Sequence, residues 1–198
     1  MRFLLCLLLI AMPAAARHKE APIVEVFIPS VHDAQLNLAL YRAQGVASDI
    51  YSEVGVTLKW RLPNPKITGC SKNPPLLRTI VVALSWNTPD NSYPAALAFS
   101  NPYSAEGACV TIFVDRLKPM VALQPLTTSV LLGHVLAHEM GHVLQGIARH
   151  SETGVLKQRW SPLEIDAMWN KPLRFTDHDA TLILEGIRGL RRVASEGE

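Results

Sequence analysis

The stretch Val130-Leu131-Leu132-Gly133-His134-Val135-Leu136-Ala137-His138-Glu139-Met140-Gly141-His142-Val143-Leu144-Gln145 is apolar over most of a helical surface, and Gly146 follows it. A helix apolar nearly all round is a buried one. Thr127, Thr128 and Ser129 offer N-caps, and Gly146 offers the left-handed residue at which helices commonly stop. Histidines and a glutamate inside such a helix need a compensating partner, because burying an unpaired polar or charged group is costly. A metal ion is such a partner. His138 and His142 are four residues apart and stack on one face of the helix. Glu139 lies roughly 100° round the axis, where its carboxylate reaches a water on the metal rather than the metal itself. The expected chemistry is peptide-bond hydrolysis: zinc activates the water and polarises the carbonyl, and Glu139 is the general base.

A catalytic zinc needs a third protein ligand and an open position. Gly146 allows the chain to turn back and bring His150 beside the pair, so His150 is the expected third ligand. Glu164 is the alternative, giving a two-histidine, one-glutamate set. His134, one turn before His138, reads as a core or supporting histidine. His18, His32 and His178 read as surface residues, and Asp166 as a solvated helix residue. Trp60, Trp160 and Trp169 read as packing residues.

Upstream, Ile23 to Ile28 is a short β-branched and aromatic run closed by Pro29, which predicts a strand. From Asp33 to about Val54 apolar residues recur at helical spacing, and Gly55 ends the pattern. Val56 to Arg61 alternates and is broken by Pro63, which predicts a second strand and so a βαβ unit. The proline-rich stretch from Leu62 to Pro75 reads as an irregular loop. Thr79 to Leu84 reads as a strand buried on both faces, Ala95 to Phe99 as a short strand, and Cys109 to Val114 as another. Downstream, Ser161 and Pro162 cap and open a short helix, and Asp177 to about Arg192 forms a C-terminal helix. The predicted fold class is α+β with α/β character: a twisted mixed sheet, two long helices, and a small lower part of irregular and helical chain.

At the N-terminus, Arg2 precedes an apolar run from Phe3 to Met12, then Pro13 and Ala14-Ala15-Ala16. The run falls well short of the ~20 residues that span a bilayer, so residues 1–16 read as a signal peptide cleaved near Ala16, with export to the periplasm or beyond. The remaining 17–198 reads as one zinc-metallopeptidase-like domain, its upper part about 21–146 and its lower part about 147–198. Removing the leader takes Cys6 with it and leaves Cys70 and Cys109, a possible disulfide in an oxidising compartment. The formal net charge of +2, with no long run of like charges, gives no reason to expect nucleic acid or, once the leader is gone, a membrane as partner.

The segment from His138 to Ser151 resembles a lengthened form of the metzincin zinc motif, and is similar to a group of small bacterial secreted metzincin-like proteins. The likeness extends to the early strand, to Glu53-Val54-Gly55-Val56 leading to Trp60, to Phe113-Val114-Asp115-Arg116, and to Gly154-Val155-Leu156 with Trp160. It implies a zinc endopeptidase acting on proteins or peptides, with a cleft between upper and lower parts. It also implies that Ala95 to Phe99 is the edge strand along which substrate adds. Two departures stand out. In the common pattern glycine and the third histidine follow the second histidine by three and six residues; here Gly146 and His150 follow it by four and eight. Where the family has a methionine in a turn beneath the metal, this chain has Leu156, with Met168 as a second candidate. The competing expectation is a secreted protein that binds zinc for structure alone.

Overall fold

The computed structural model describes residues 21–63, 79–90, 96–102 and 108–195, with backbone alone for 190–195. The signal-peptide segment, His18 and Cys70 lie outside the described residues, so the Cys70–Cys109 pairing stays an expectation.

Strand β1 (Ile23–Phe27) buries Val24 and Val26 on one side, as its alternation predicts. Helix α1 (Ala34–Glu53) begins where the Asp33 side chain accepts a hydrogen bond from the Leu36 amide, and ends before Gly55, whose φ of 73° an L residue seldom adopts. Its buried face, Leu36, Leu40, Ala43, Ala47, Ile50 and Tyr51, keeps the spacing of an amphipathic helix. Strand β2 (Thr57–Arg61) then pairs parallel with β1, completing the expected βαβ unit.

Strands β3 (Thr79–Ser85), β4 (Ala98–Ser100) and β5 (Cys109–Phe113) complete a sheet ordered β2-β1-β3-β5-β4. All pairings are parallel except β4 against β5, so the sheet is mixed and β4 is its antiparallel edge. The expected Ala95–Phe99 strand is thus displaced: it runs from Ala98 to Ser100, with Ala95 outside the described residues.

Helix α2 (Val114–Leu123) has no counterpart in the sequence reading. Pro119 sits inside it, and an internal proline removes a helical hydrogen bond and clashes one turn back. Val114, Leu117 and Val121, all buried, hold the helix in place by tertiary packing rather than by propensity.

Helix α3 (Pro125–Gln145) starts about one turn before the expected caps. Pro125 occupies its first turn, where a missing amide proton costs nothing, and Ser129 turns its hydroxyl back to the Pro125 carbonyl at 2.6 Å instead of capping. Leu132, Leu136, Met140 and Leu144 make one fully buried stripe at spacing four, each contributing about 1.5–3 kcal/mol relative to exposure. His134, His138 and His142 make a second stripe beside it. Gly133 lets α1 come close, since a Cβ there would meet the Val46 Cβ at 2.5 Å, and the Tyr51 hydroxyl donates to the Ala137 carbonyl at 3.1 Å. These contacts fix the histidine stripe relative to α1.

Gly146 ends α3 in the left-handed conformation at φ 69°. The chain then passes through a turn at Gly154, helix α4 (Pro162–Ala167) with the predicted Ser161 cap, and helix α5 (Asp177–Ser195). Helix α5 packs back on the end of α3 so closely that a Cβ at Gly186 would lie 1.8 Å from the Leu144 carbonyl oxygen. One apolar cluster runs from Val24 in β1 through α1 and α3 to Val155, Leu156 and Ile187. The class is α+β, a five-stranded mixed sheet with helices.

Candidate metal centre

His138 and His142 approach with their Nε2 atoms 3.0 Å apart. The Nδ1 of His138 is 2.8 Å from the Val155 carbonyl, and the Nδ1 of His142 is 3.3 Å from the Ile147 carbonyl. A carbonyl only accepts, so each Nδ1 carries the proton and each Nε2 presents a lone pair. Two facing lone pairs repel at that distance unless a cation or proton lies between them. Two nitrogens bound to zinc at about 2.0–2.1 Å in tetrahedral geometry stand roughly 3.3 Å apart, close to the separation seen.

Past Gly146 the chain returns and brings His150 to the pair. Its ring centroid lies 5.3 Å from that of His138 and 4.9 Å from that of His142, and one ring nitrogen from each of the three falls within 4.8 Å of the others. Three neutral imidazoles held by backbone carbonyls or loop packing are a donor set that suits zinc. Burial holds His138 and His142 down to about 4, so both are unprotonated at neutral pH. Burial lowers His150 as well, though it is the most exposed of the three.

Glu139, on the neighbouring face of α3, meets the edge strand. Ser100 Oγ donates to Glu139 Oε2 at 2.5 Å, and the Ser100 backbone amide also bonds the carboxylate. Burial pushes the Glu139 carboxyl up, and the Ser100 hydrogen bonds and electrostatic coupling to His142 and His150 offset part of that rise.

Glu164, the alternative third ligand, is committed elsewhere. Its carboxylate pairs with Lys157 Nζ at 2.7 and 2.8 Å and accepts from the Ser161 amide at 2.7 Å in a capping box, which brings it down to about 2. The helix start it caps holds it there, outside the group that His138, His142 and His150 form. His134 is fully buried and satisfied: its Nδ1 faces the Val130 carbonyl at 2.8 Å and its Nε2 accepts from the Leu173 amide at 3.0 Å, tying α3 to the chain before α5. His32, His178 and Asp166 are exposed.

Beneath the histidines lies the turn at Gly154. Its φ is 78°, and a Cβ there would meet the Arg174 carbonyl at 2.3 Å, so glycine is required. The turn presents the Val155 carbonyl to His138 and places Leu156, fully buried, against Gly141, whose Cβ position is 3.0 Å from Leu156 Cδ2. Trp160 donates from Nε1 to the Gly154 carbonyl at 3.1 Å and stands edge-on to His138, centroids 5.8 Å apart. Trp60 is bonded to Ser48, away from the histidines.

No family model and no curated protein matches this chain. Among solved structures, the archaemetzincin of Methanopyrus kandleri is similar, with a TM-score of 0.40 and 16% identity over 88% of this chain and 99% of that one. A likeness that slight carries no argument about family or reaction, which leaves the side-chain geometry to do so.

Two residues at the site were not foreseen. Ser100 carries no local signal, being one serine in a short strand. Asp179 had one: Thr176 and Asp179 bond reciprocally, Asp179 amide to Thr176 Oγ1 at 3.1 Å and Thr176 amide to Asp179 Oδ2 at 3.2 Å. This is a capping box, readable as Thr-x-x-Asp before an apolar run.

Proposed function

We propose that this chain is a zinc metalloendopeptidase, exported by its N-terminal leader, that cleaves protein or peptide substrates outside the cytoplasm. The observation that carries the reading is the facing pair of Nε2 lone pairs at 3.0 Å, with His150 completing the set and Glu139 beside it. His138, His142 and His150 would hold one Zn2+, which when bound lowers the pKa of water and polarises a carbonyl.

The rest of the chemistry belongs to the chain. Glu139 accepts the proton of the attacking water at its carboxylate and returns it to the leaving amine. Its environment favours both acts, because burial raises its basicity while Ser100 holds the carboxylate in one orientation. Leu97 faces β5, its carbonyl accepting from the Phe113 amide at 2.9 Å, so by alternation the Ala98 and Ser100 backbone groups point to the open side of β4. The Ser100 amide is taken by Glu139. An extended peptide that pairs with Ala98 as an added strand therefore runs alongside the base.

With export we expect a Cys70–Cys109 disulfide, no nucleic-acid partner, and no membrane association once the leader is removed. Among the described residues no helix is long and apolar enough to cross a membrane. A second reading, zinc bound for structure alone, is favoured by one observation, the leucine at 156 where the resembled family has methionine. The two are separated by exposing the mature chain to a mixture of unstructured peptides before and after chelation. Cleavage that stops on chelation and returns with added zinc supports the enzyme; intact peptides with zinc bound support the structural site.

A further inference from the structure

The third histidine stands on a segment two residues longer than the resembled pattern, and a longer segment loses more conformational freedom when it is fixed. Something must hold it. Asp179, in the first turn of α5, is fully buried, and its carboxylate gathers both chain neighbours of His150. Arg149 donates from a guanidinium nitrogen to Oδ1 at 3.0 Å, and Ser151 Oγ reaches Oδ1 at 2.7 Å and Oδ2 at 2.9 Å. Thr176 adds its hydroxyl at 2.7 Å and its amide at 3.2 Å on Oδ2. Arg149 also donates to the His150 carbonyl at 3.0 Å and to Ser151 Oγ at 3.0 Å, and the Ser151 amide bonds the Leu156 carbonyl at 2.8 Å. The Leu156 end of that bond belongs to the turn whose Val155 carbonyl orients His138.

Burial disfavours the charged carboxylate, yet the Ser151 and Thr176 hydrogen bonds and Arg149 together bring Asp179 below its ordinary value. The donors thus match a carboxylate anion, and a neutral side chain of the same shape cannot keep them all.

Resting on the zinc reading above, we infer that Asp179 is a positioning residue for the metal centre: it clamps Arg149 and Ser151 so that His150 is presented to His138 and His142 before metal arrives. Its work is pre-organisation of one ligand, and its loss shows in metal affinity ahead of fold. An alternative route for Asp179 is its charge acting through space on the histidines, and a double substitution separates the two.

The test is zinc affinity of the mature full chain, measured with zinc alone against a chromophoric chelator, for wild type, Asp179→Asn, Ser151→Ala, His150→Ala and the pair His150→Ala with Asp179→Asn. Far-ultraviolet dichroism and thermal unfolding of each metal-free protein report the fold. We expect Asp179→Asn to weaken zinc roughly 10–100-fold, the range typical of losing an outer partner. Ser151→Ala should weaken it in the same direction, and it decides the matter if Asp179→Asn does not fold. Adding Asp179→Asn to His150→Ala should change affinity no further. Folded variants that bind zinc like wild type would overturn the clamp, as would an equal loss in the His150→Ala background, which assigns the effect to charge. A wild type that binds no zinc would instead overturn the metal reading, and the clamp with it.

Discussion

Ser100, the last residue of the edge strand, donates its hydroxyl to Glu139 on α3 at 2.5 Å and its backbone amide to the same carboxylate. The group proposed as the base is therefore fixed by the strand proposed to receive substrate. A hydrogen bond to a charged group is worth about 1.5–3 kcal/mol, or roughly 10–100-fold in rate if it is expressed in the transition state. Ser100→Ala should lower kcat by about that factor, with little change in KM and no change in zinc content, and Ser100→Thr should recover much of the loss. Steady-state kinetics on one peptide substrate checks this. A rise in KM alone would place Ser100 in peptide binding rather than in support of Glu139.

Glu164 should matter to stability and leave the metal alone. Its carboxylate sits at about 2 in the fold against an ordinary 4.5, because Lys157 and Ser161 favour the charged form. A depressed acid contributes stability that is fully present above about 4.5 and is lost as the pH falls toward 2. In urea unfolding of the metal-free chain, Glu164→Gln should be less stable than wild type at pH 7, and the gap should shrink at pH 3 and close near 2. Its zinc affinity should equal that of wild type; a large loss would reinstate Glu164 as a ligand.

Leu156 is the residue we match to the turn methionine of the resembled family. It is fully buried against Gly141, and leucine and methionine have similar volumes. Leu156→Met should cost less than about 1.5 kcal/mol and leave peptide cleavage within a few-fold of wild type. A large gain in activity would mean that the leucine impairs the centre.

The elements governed by local patterns were legible in the sequence. The βαβ unit, the α3 stop at Gly146 and the Ser161-Pro162 helix start each followed from periodicity or cap chemistry within a few residues. Helix α2 was not legible, because Pro119 speaks against a helix that tertiary burial of Val114, Leu117 and Val121 sustains. The start of α3 was misplaced because Ser129 turns its hydroxyl back to a carbonyl, a choice that composition does not reveal. His138, Glu139 and His142 lie in one helix and could be read from spacing alone. Ser100 lies 39 residues from Glu139 along the chain, and Ser151 lies 28 from Asp179, so only the fold brings these pairs together.

The most direct test compares the mature chain with Glu139→Ala for zinc per chain and for cleavage of unfolded casein. That substitution spares the three histidines and removes the base. The account predicts one zinc in both proteins and cleavage in the wild type alone. Zinc in both without cleavage in either would leave a structural metal site, and no zinc in either would contradict the account at its root.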